Sequence, residues 1–189
     1  MGFLSMDSKR QKLLEAFKSR AFQTGHFVLA SGKTSTYYID SKKALFNSLV
    51  IDLLGELFWE IISPLNPDAI GGLEVGAIPI TAATLVKSQQ HGVSLEGFFV
   101  RKKAKEHGSK QRIEGVLAPG SKVIIVDDVL TTGGSAMEAV DEVEKIGCKV
   151  VAVVCIVDRL QGARELIEPH CPFIPLFTIR DFGVTPSVI

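Results

Sequence analysis

Cysteine is scarce and unpatterned: the three in this chain, Cys148, Cys155 and Cys171, form no CxxC pair and have no histidine-rich neighbourhood. Neither a zinc site nor a redox motif is indicated. So odd and sparse a set suits a reducing cytoplasm, with Cys148 and Cys155 as small residues of an apolar core. Net charge is equally absent, since 21 basic side chains meet 21 acidic ones. This balance argues against a protein that grips nucleic acid or anionic membrane with its whole surface, and leaves anion binding to a local patch. Long apolar runs are missing too. The longest, Val150 to Val157, falls far short of the ~20 residues that cross a bilayer. Met1 to Met6 lacks the basic segment and longer apolar core of a secretory signal, and a second Met at position 6 points to an altered start. There is no repeat, no low-complexity tract and no separating linker, so 189 residues with 46% hydrophobic content are expected to form one domain over 1–189.

Hydrophobic periodicity orders what is present. Leu13, Leu14, Phe17 and Ala21 predict a first helix, capped by Ser8 and stopped by Thr24-Gly25. Two short strands, 27–30 and 36–39, flank a polar turn at 31–35, and a helix over 47–62 ends at Ser63-Pro64. Strand and helix then alternate: strand 69–72, helix 79–89, strands 95–100 and 122–126, helix 135–146, strand 149–157. That alternation predicts an α/β fold with a mostly parallel sheet buried on both faces. In helix 135–146, Ala136, Ala139, Val140, Val143 and Ile146 form the expected inward stripe, with Glu138, Asp141, Glu142 and Lys145 facing water and Gly147 just past the end.

The strongest chemical signal is the segment 123–135. An apolar strand delivers Asp127 and Asp128, then Val129, Leu130, Thr131, Thr132, Gly133, Gly134 and Ser135 lead into a helix. Open α/β sheets bind ligands at that end of a strand. Glycines let several N–H groups converge, hydroxyls add donors, and the helix dipole favours an anion. The loop is neither a Walker A sequence nor a GxGxxG fingerprint. Two acids beside a phosphate cradle would repel the ligand unless they meet hydroxyls or a cation, which fits a ribose 5-phosphate. The alternative, acids that merely approach a helix, leaves adjacent carboxylates without partners at a cost.

A second cluster, 101–112, holds Arg101, Lys102, Lys103, Lys105, Lys110 and Arg112 against Glu106, with His107 and Gly108 among them. It reads as a long mobile loop able to close over a polyanion, or as a solvated basic face. No aromatic residues interleave with the charges, which weakens a nucleic-acid reading. A third segment, 70–79, is a strand, a glycine-rich bend carrying Glu74 and Val75, and a helix start. Arg159 follows Asp158 at the end of the last apolar strand; it suits a carboxylate ligand, or pairs with Asp158 or Glu165 at the surface.

The 123–135 segment closely resembles the phosphoribosyl diphosphate (PRPP) motif of the type I phosphoribosyltransferases. Segment 100–108, segment 27–40 and Val157-Asp158-Arg159 resemble the orotate-specific members, so the likeness runs from about residue 8 to 180. The resemblance implies a small N-terminal hood, about 8–40, on a core of about 41–189. It implies that Asp127 and Asp128 meet ribose hydroxyls and that the Thr131, Thr132, Gly133, Gly134 and Ser135 loop holds the 5-phosphate, with Lys33, Glu74, Val75, Val129 and Leu130 also at PRPP. Arg101, Lys102, Lys105 and His107 would act on the diphosphate, the last two from a neighbouring subunit of a homodimer. Lys33, Tyr37, Tyr38, Thr131 and Arg159 would meet orotate. Mg²⁺ is implied through substrate oxygens and water, with no direct protein ligand. Some members carry a lysine where this chain has only Glu74 for charge, which shifts diphosphate neutralisation to 101–107 and Mg²⁺. A different base would not require Arg159 or the hood segment, and a PRPP-sensing regulator would lack the basic loop and carry an added nucleic-acid-binding module.

Overall fold

The computed structural model describes residues 5–28, 34–103 and 112–185. The order is α1 (Met6–Arg20), β1 (Phe22–Val28), β2 (Thr34–Ile39), α2 (Ser41–Leu45), α3 (Ser48–Ile62), β3 (Ala69–Gly71) and α4 (Ala77–Gln90). There follow β4 (Glu96–Val100), β5 (Ile113–Gly115), β6 (Lys122–Leu130), α5 (Gly134–Lys145), β7 (Lys149–Asp158), α6 (Ala163–Ile167) and β8 (Phe173–Thr178). The main sheet runs β5-β4-β3-β6-β7-β8. Every pair in it is parallel except β4 with β5. Strands β1 and β2 form a separate antiparallel hairpin.

Burial on both faces explains why the central strands lack polar alternation. Successive residues of β6 serve opposite cores: Ile124 and Val126 join α1, α3 and the hairpin's Tyr37, while Val123 and Ile125 join the stripe of α5. Helix α3 supplies more of the first core than any other element, through Val50, Leu53, Leu54, Leu57, Phe58, Trp59 and Ile62, and starts where Asn47 accepts a hydrogen bond from the Val50 amide at 3.3 Å. Helix α5 buries Ala136, Ala139, Val140 and Val143.

Several expectations need correction. The first helix is capped by Ser5, not Ser8, and ends at Arg20. Thr24 and Gly25 instead lie inside β1, where the register with β2 breaks between Thr24 and Phe27; residues that stop a helix also suit a bulge. Strand β2 begins at Thr34, two residues early, and the rest of the expected turn, 31–33, lies with residues 29 and 30 outside the described residues. Strand β6 continues to Leu130 because β7 extends beside it as far as Asp158, so both acids sit within the strand. Ile146 caps α5 and is 39% exposed, not inward. Glu138 and Glu142 do not simply face water: both bind Arg112, whose guanidinium also donates to the Arg101 and Lys102 carbonyls. Helices α2 and α6 and strand β5 are too short for periodicity to reveal, and Pro175 interrupts the apolar run of β8.

Glycine sets how closely β3 approaches its neighbours. A Cβ on Gly71 would lie 2.3 Å from the Phe98 carbonyl oxygen, and one on Gly72 would lie 2.1 Å from that of Val126. Only a residue without a side chain lets the bend after β3 lie against the end of β6.

Candidate active site

The acids at the end of β6 are held differently. Asp127 is 6% exposed; it accepts from the Ser135 hydroxyl at 2.7 Å and from the Asp128 amide at 2.8 Å. Asp128 accepts from the Val129 amide at 2.9 Å and from the hydroxyl of Ser41 on α2. Its carboxylate also fills the space beside Gly76, where a Cβ would lie 2.5 Å from Oδ1. Burial first, and the Asp128 charge second, push the Asp127 carboxyl up to about 7, against the downward pull of Ser135. The order makes physical sense: a hydrogen bond to a charged group is worth roughly 1.5–3 kcal/mol, while desolvating a carboxylate costs several.

Beyond β6 the chain turns through Thr131 and Thr132 into α5. No side chain caps that helix, whose N-cap is Gly133 at φ 83°, so its first-turn amides point at whatever lies before it. The two glycines differ in kind. A Cβ on Gly133 would lie 3.2 Å from the Ala163 Cα, toward α6, whereas one on Gly134 would have only the Thr132 hydroxyl within reach, at 3.8 Å. A cavity of about 400 Å³ opens here, lined by Lys42, Leu73, Glu74, Val75, Gly76, Lys102, Asp127, Asp128, Val129 and Ser135. Leu130 is buried behind it. The Glu74 carboxylate accepts the Lys102 amide at 2.9 Å and so ties the bend to the start of the basic loop.

Of the residues singled out in the sequence, Glu74, Val75, Lys102, Asp127, Asp128, Val129 and Ser135 line one cavity, whereas Leu130, Thr131, Thr132, Gly133 and Gly134 are not on its wall. Arg101 is not on its wall: its guanidinium lies 3.5 Å from Glu114 on β5. Lys33, Lys105 and His107 lie outside the described residues. Ser41, Lys42 and Gly76 were missed. Their signal was the polar pair directly after the hood strand and the third glycine of the bend.

Beside the cavity, hood and core meet through one pair. Arg159, whose amide donates to the Leu130 carbonyl at 2.9 Å, donates Nε to the Tyr37 hydroxyl at 2.9 Å and lies 4.7 Å over that ring. It forms neither surface ion pair considered above. Tyr37 is 7% exposed and stacks on Phe22, while Tyr38 is exposed against Phe27. Asp158 is fully buried; it accepts the Leu160 amide at 2.8 Å and fixes the turn that carries Arg159. With Nε taken, the two Nη groups remain as a fork for a planar anion.

The Asp127 geometry carries a pH prediction. A carboxyl raised in the folded state binds more protons than in the unfolded chain, so its neutral form adds no penalty below the usual carboxylate range. Stability then falls as pH rises from about 4 to about 7. Ligand-free Asp127→Asn should therefore be more stable than the parent at pH 8, by on the order of 2–4 kcal/mol, and little different at pH 4. Urea unfolding at the two pH values tests it; equal differences at both would contradict the assignment.

Comparison with known proteins agrees with this geometry. The phosphoribosyl transferase domain model matches residues 41–171. An orotate phosphoribosyltransferase of Rhodopirellula baltica is 39% identical, over 97% of this chain and 100% of its own. One of Methanocaldococcus jannaschii is 41% identical, over 94% and 98%. The Mycobacterium tuberculosis orotate phosphoribosyltransferase crystallised with PRPP superposes at a TM-score of 0.79 with 31% identity, covering 93% of this chain and 99% of that one. By matches that span nearly the whole chain, and by a sheet with its acids and glycine loop in the family's arrangement, this chain belongs to the orotate phosphoribosyltransferases of the type I phosphoribosyltransferase family.

Proposed function

We propose that the cavity at the end of β6 binds PRPP and that Arg159, held by Tyr37, receives the orotate carboxylate. This assigns residues to the activity of an orotate phosphoribosyltransferase, which makes orotidine 5′-phosphate and diphosphate on the route to pyrimidine nucleotides. The observation that carries the assignment is the convergence of Asp127, Asp128 and the uncapped α5 N-terminus on one cavity. The 5-phosphate sits on the 131–135 loop and the ribose diol on the two acids. The orotate ring nitrogen forms a bond to ribose C1 while the C1–oxygen bond breaks, its electron pair leaving with diphosphate. Orotate is already an anion, so no strong general base is required. The protein's part is to align the two ligands and to stabilise the leaving group with Lys102, Lys33 and the basic loop.

Mg²⁺ fits the donor set. Glu74, Asp127 and Asp128 give the wall hard oxygen atoms, suited to a hydrated ion carried by phosphate oxygens. When bound, it neutralises diphosphate charge. Three buried free cysteines support a reducing cytoplasm as the setting. A core shared by α1, Tyr37 and the main sheet supports hood and core acting as one domain. A homodimer is supported by the apolar groove of about 240 Å³ between α4 and the β4–β5 edge, lined by Ile78, Leu85 and Phe99. That edge leads directly into the basic loop, so Lys105 and His107 would reach a partner's site from it.

Two measurements follow. Tyr37→Phe keeps the ring but frees Nε of Arg159; the KM for orotate should rise about three- to tenfold with the KM for PRPP unchanged, and Arg159→Ala should raise it further. Equal losses for both substrates would remove the orotate assignment. For shared sites, Lys105→Ala and Asp128→Asn should each be nearly inactive alone. Mixed in equal amounts with full subunit exchange, they should regain about a quarter of the parent's site activity, because half the dimers then carry one intact site. No recovery after proven exchange would place Lys105 in its own subunit's site.

A further inference from the structure

The described part of the cavity wall carries little positive charge for the ligand proposed above. Its described ionisable side chains are Glu74, Asp127, Asp128, Lys42 and Lys102. With Asp127 protonated these side chains balance to zero, and with it ionised they are one charge negative, so in either state they offer no net positive charge to a triply or more charged diphosphate ester. The glycine bend contributes no cation, and the Glu74 carboxylate is turned onto the Lys102 backbone. Lys42 is the other positive group on this wall, and the resemblance that named the loop residues does not include it.

Its placement is fixed by its neighbours. Helix α2 is pinned on both sides of Lys42: Ser41, 2% exposed, donates its hydroxyl to Asp128, while Ala44 and Leu45 are buried in the first core. Lys42 therefore rides on a short platform clamped to the very carboxylate that faces the ribose. The side chain itself is 56% exposed, and its contact with Asp40 Oδ1, at 3.8 Å, is longer than a hydrogen bond. Asp40 Oδ1 is buried without a hydrogen-bond partner. A long flexible stem with a loosely paired ammonium at the mouth of an anion cavity can turn onto a phosphate at little cost.

We propose that Lys42 is a diphosphate-binding residue of this site. It leaves Asp40 and bonds the diphosphate of PRPP, supplying from α2 the cation that the 71–76 bend lacks. The diphosphate is favoured over the 5-phosphate because the wall that carries Lys42 is built mostly from the 73–76 bend, Lys102 and the end of β6, and of the 131–135 loop it includes Ser135 alone. This rests on the PRPP assignment of the cavity.

The test titrates PRPP and inorganic diphosphate calorimetrically, with Mg²⁺, into full-length Lys42→Met, Lys42→Arg, Lys43→Met and Gly134→Asp proteins, beside steady-state KM values. Lys43 is exposed on the same helix and is absent from the cavity wall. Lys42→Met should weaken both ligands about three- to tenfold, leave the KM for orotate unchanged and keep the thermal midpoint. Lys42→Arg should restore binding, and Lys43→Met should match the parent. Gly134→Asp places a carboxylate in the phosphate cradle and should abolish PRPP binding. If Gly134→Asp loses PRPP but Lys42→Met binds like the parent, the role of Lys42 is overturned while the site stands. If Lys42→Met weakens orotate as much as PRPP, Lys42 acts through packing and the proposal fails. Full PRPP affinity in Gly134→Asp would overturn the cavity assignment and this proposal together.

Discussion

Consecutive carboxylates at the end of a strand buried on both faces repel each other and lose their water, and the surrounding structure is organised around that cost. At an effective dielectric of about 20, two such charges 4 Å apart oppose each other by roughly 4 kcal/mol. Asp127 meets it by holding its proton up to about pH 7 and by accepting from Ser135. Asp128 meets it with hydrogen bonds from Ser41 and the Val129 amide. Two acids in one place thus have different environments, and a ligand rich in hydroxyl groups can satisfy both.

The same pair links parts of the chain that are distant in sequence. Ser41 brings the segment after the hood hairpin onto β6, Gly76 brings the bend after β3 within contact of Asp128, and Ser135 brings the start of α5 onto Asp127. Tyr37 and Arg159 make the parallel link one strand over, between the hairpin and the end of β7. The hood hairpin and the strand-end acids are therefore tied to the sheet through a few polar contacts, while the apolar cores on either side of the sheet hold the strand ends in register.

The alternation of strand and helix from residue 69 onward was legible in the sequence because the parallel strands are continuous apolar runs and α5 has a clear stripe. The acids and the glycine loop were legible because few structures tolerate Asp127-Asp128 after such a run without a ligand to satisfy them. What was not legible depended on distance in space. Nothing local shows that Arg112, one of a run of basic residues, is spent on Glu138 and Glu142. Arg101 likewise pairs with Glu114 across the β4–β5 edge. Helix α2 spans five residues, too few for a period, so nothing in the sequence marks Ser41 and Lys42 as part of an element. From sequence, strand β6 ends before its first acid, Asp127, and only its pairing with β7 carries it on to Leu130.

If the position of the Asp128 carboxylate is what PRPP recognises, displacing it without touching its charge should be enough to lose the ligand. Gly76→Ala does this, since the added Cβ would lie 2.5 Å from Asp128 Oδ1 and one of the two must move. Calorimetric titration of PRPP with Mg²⁺ into the folded Gly76→Ala protein should show affinity lowered at least about tenfold, with circular dichroism and thermal midpoint close to those of the parent. Undiminished PRPP affinity in that folded variant would contradict the account.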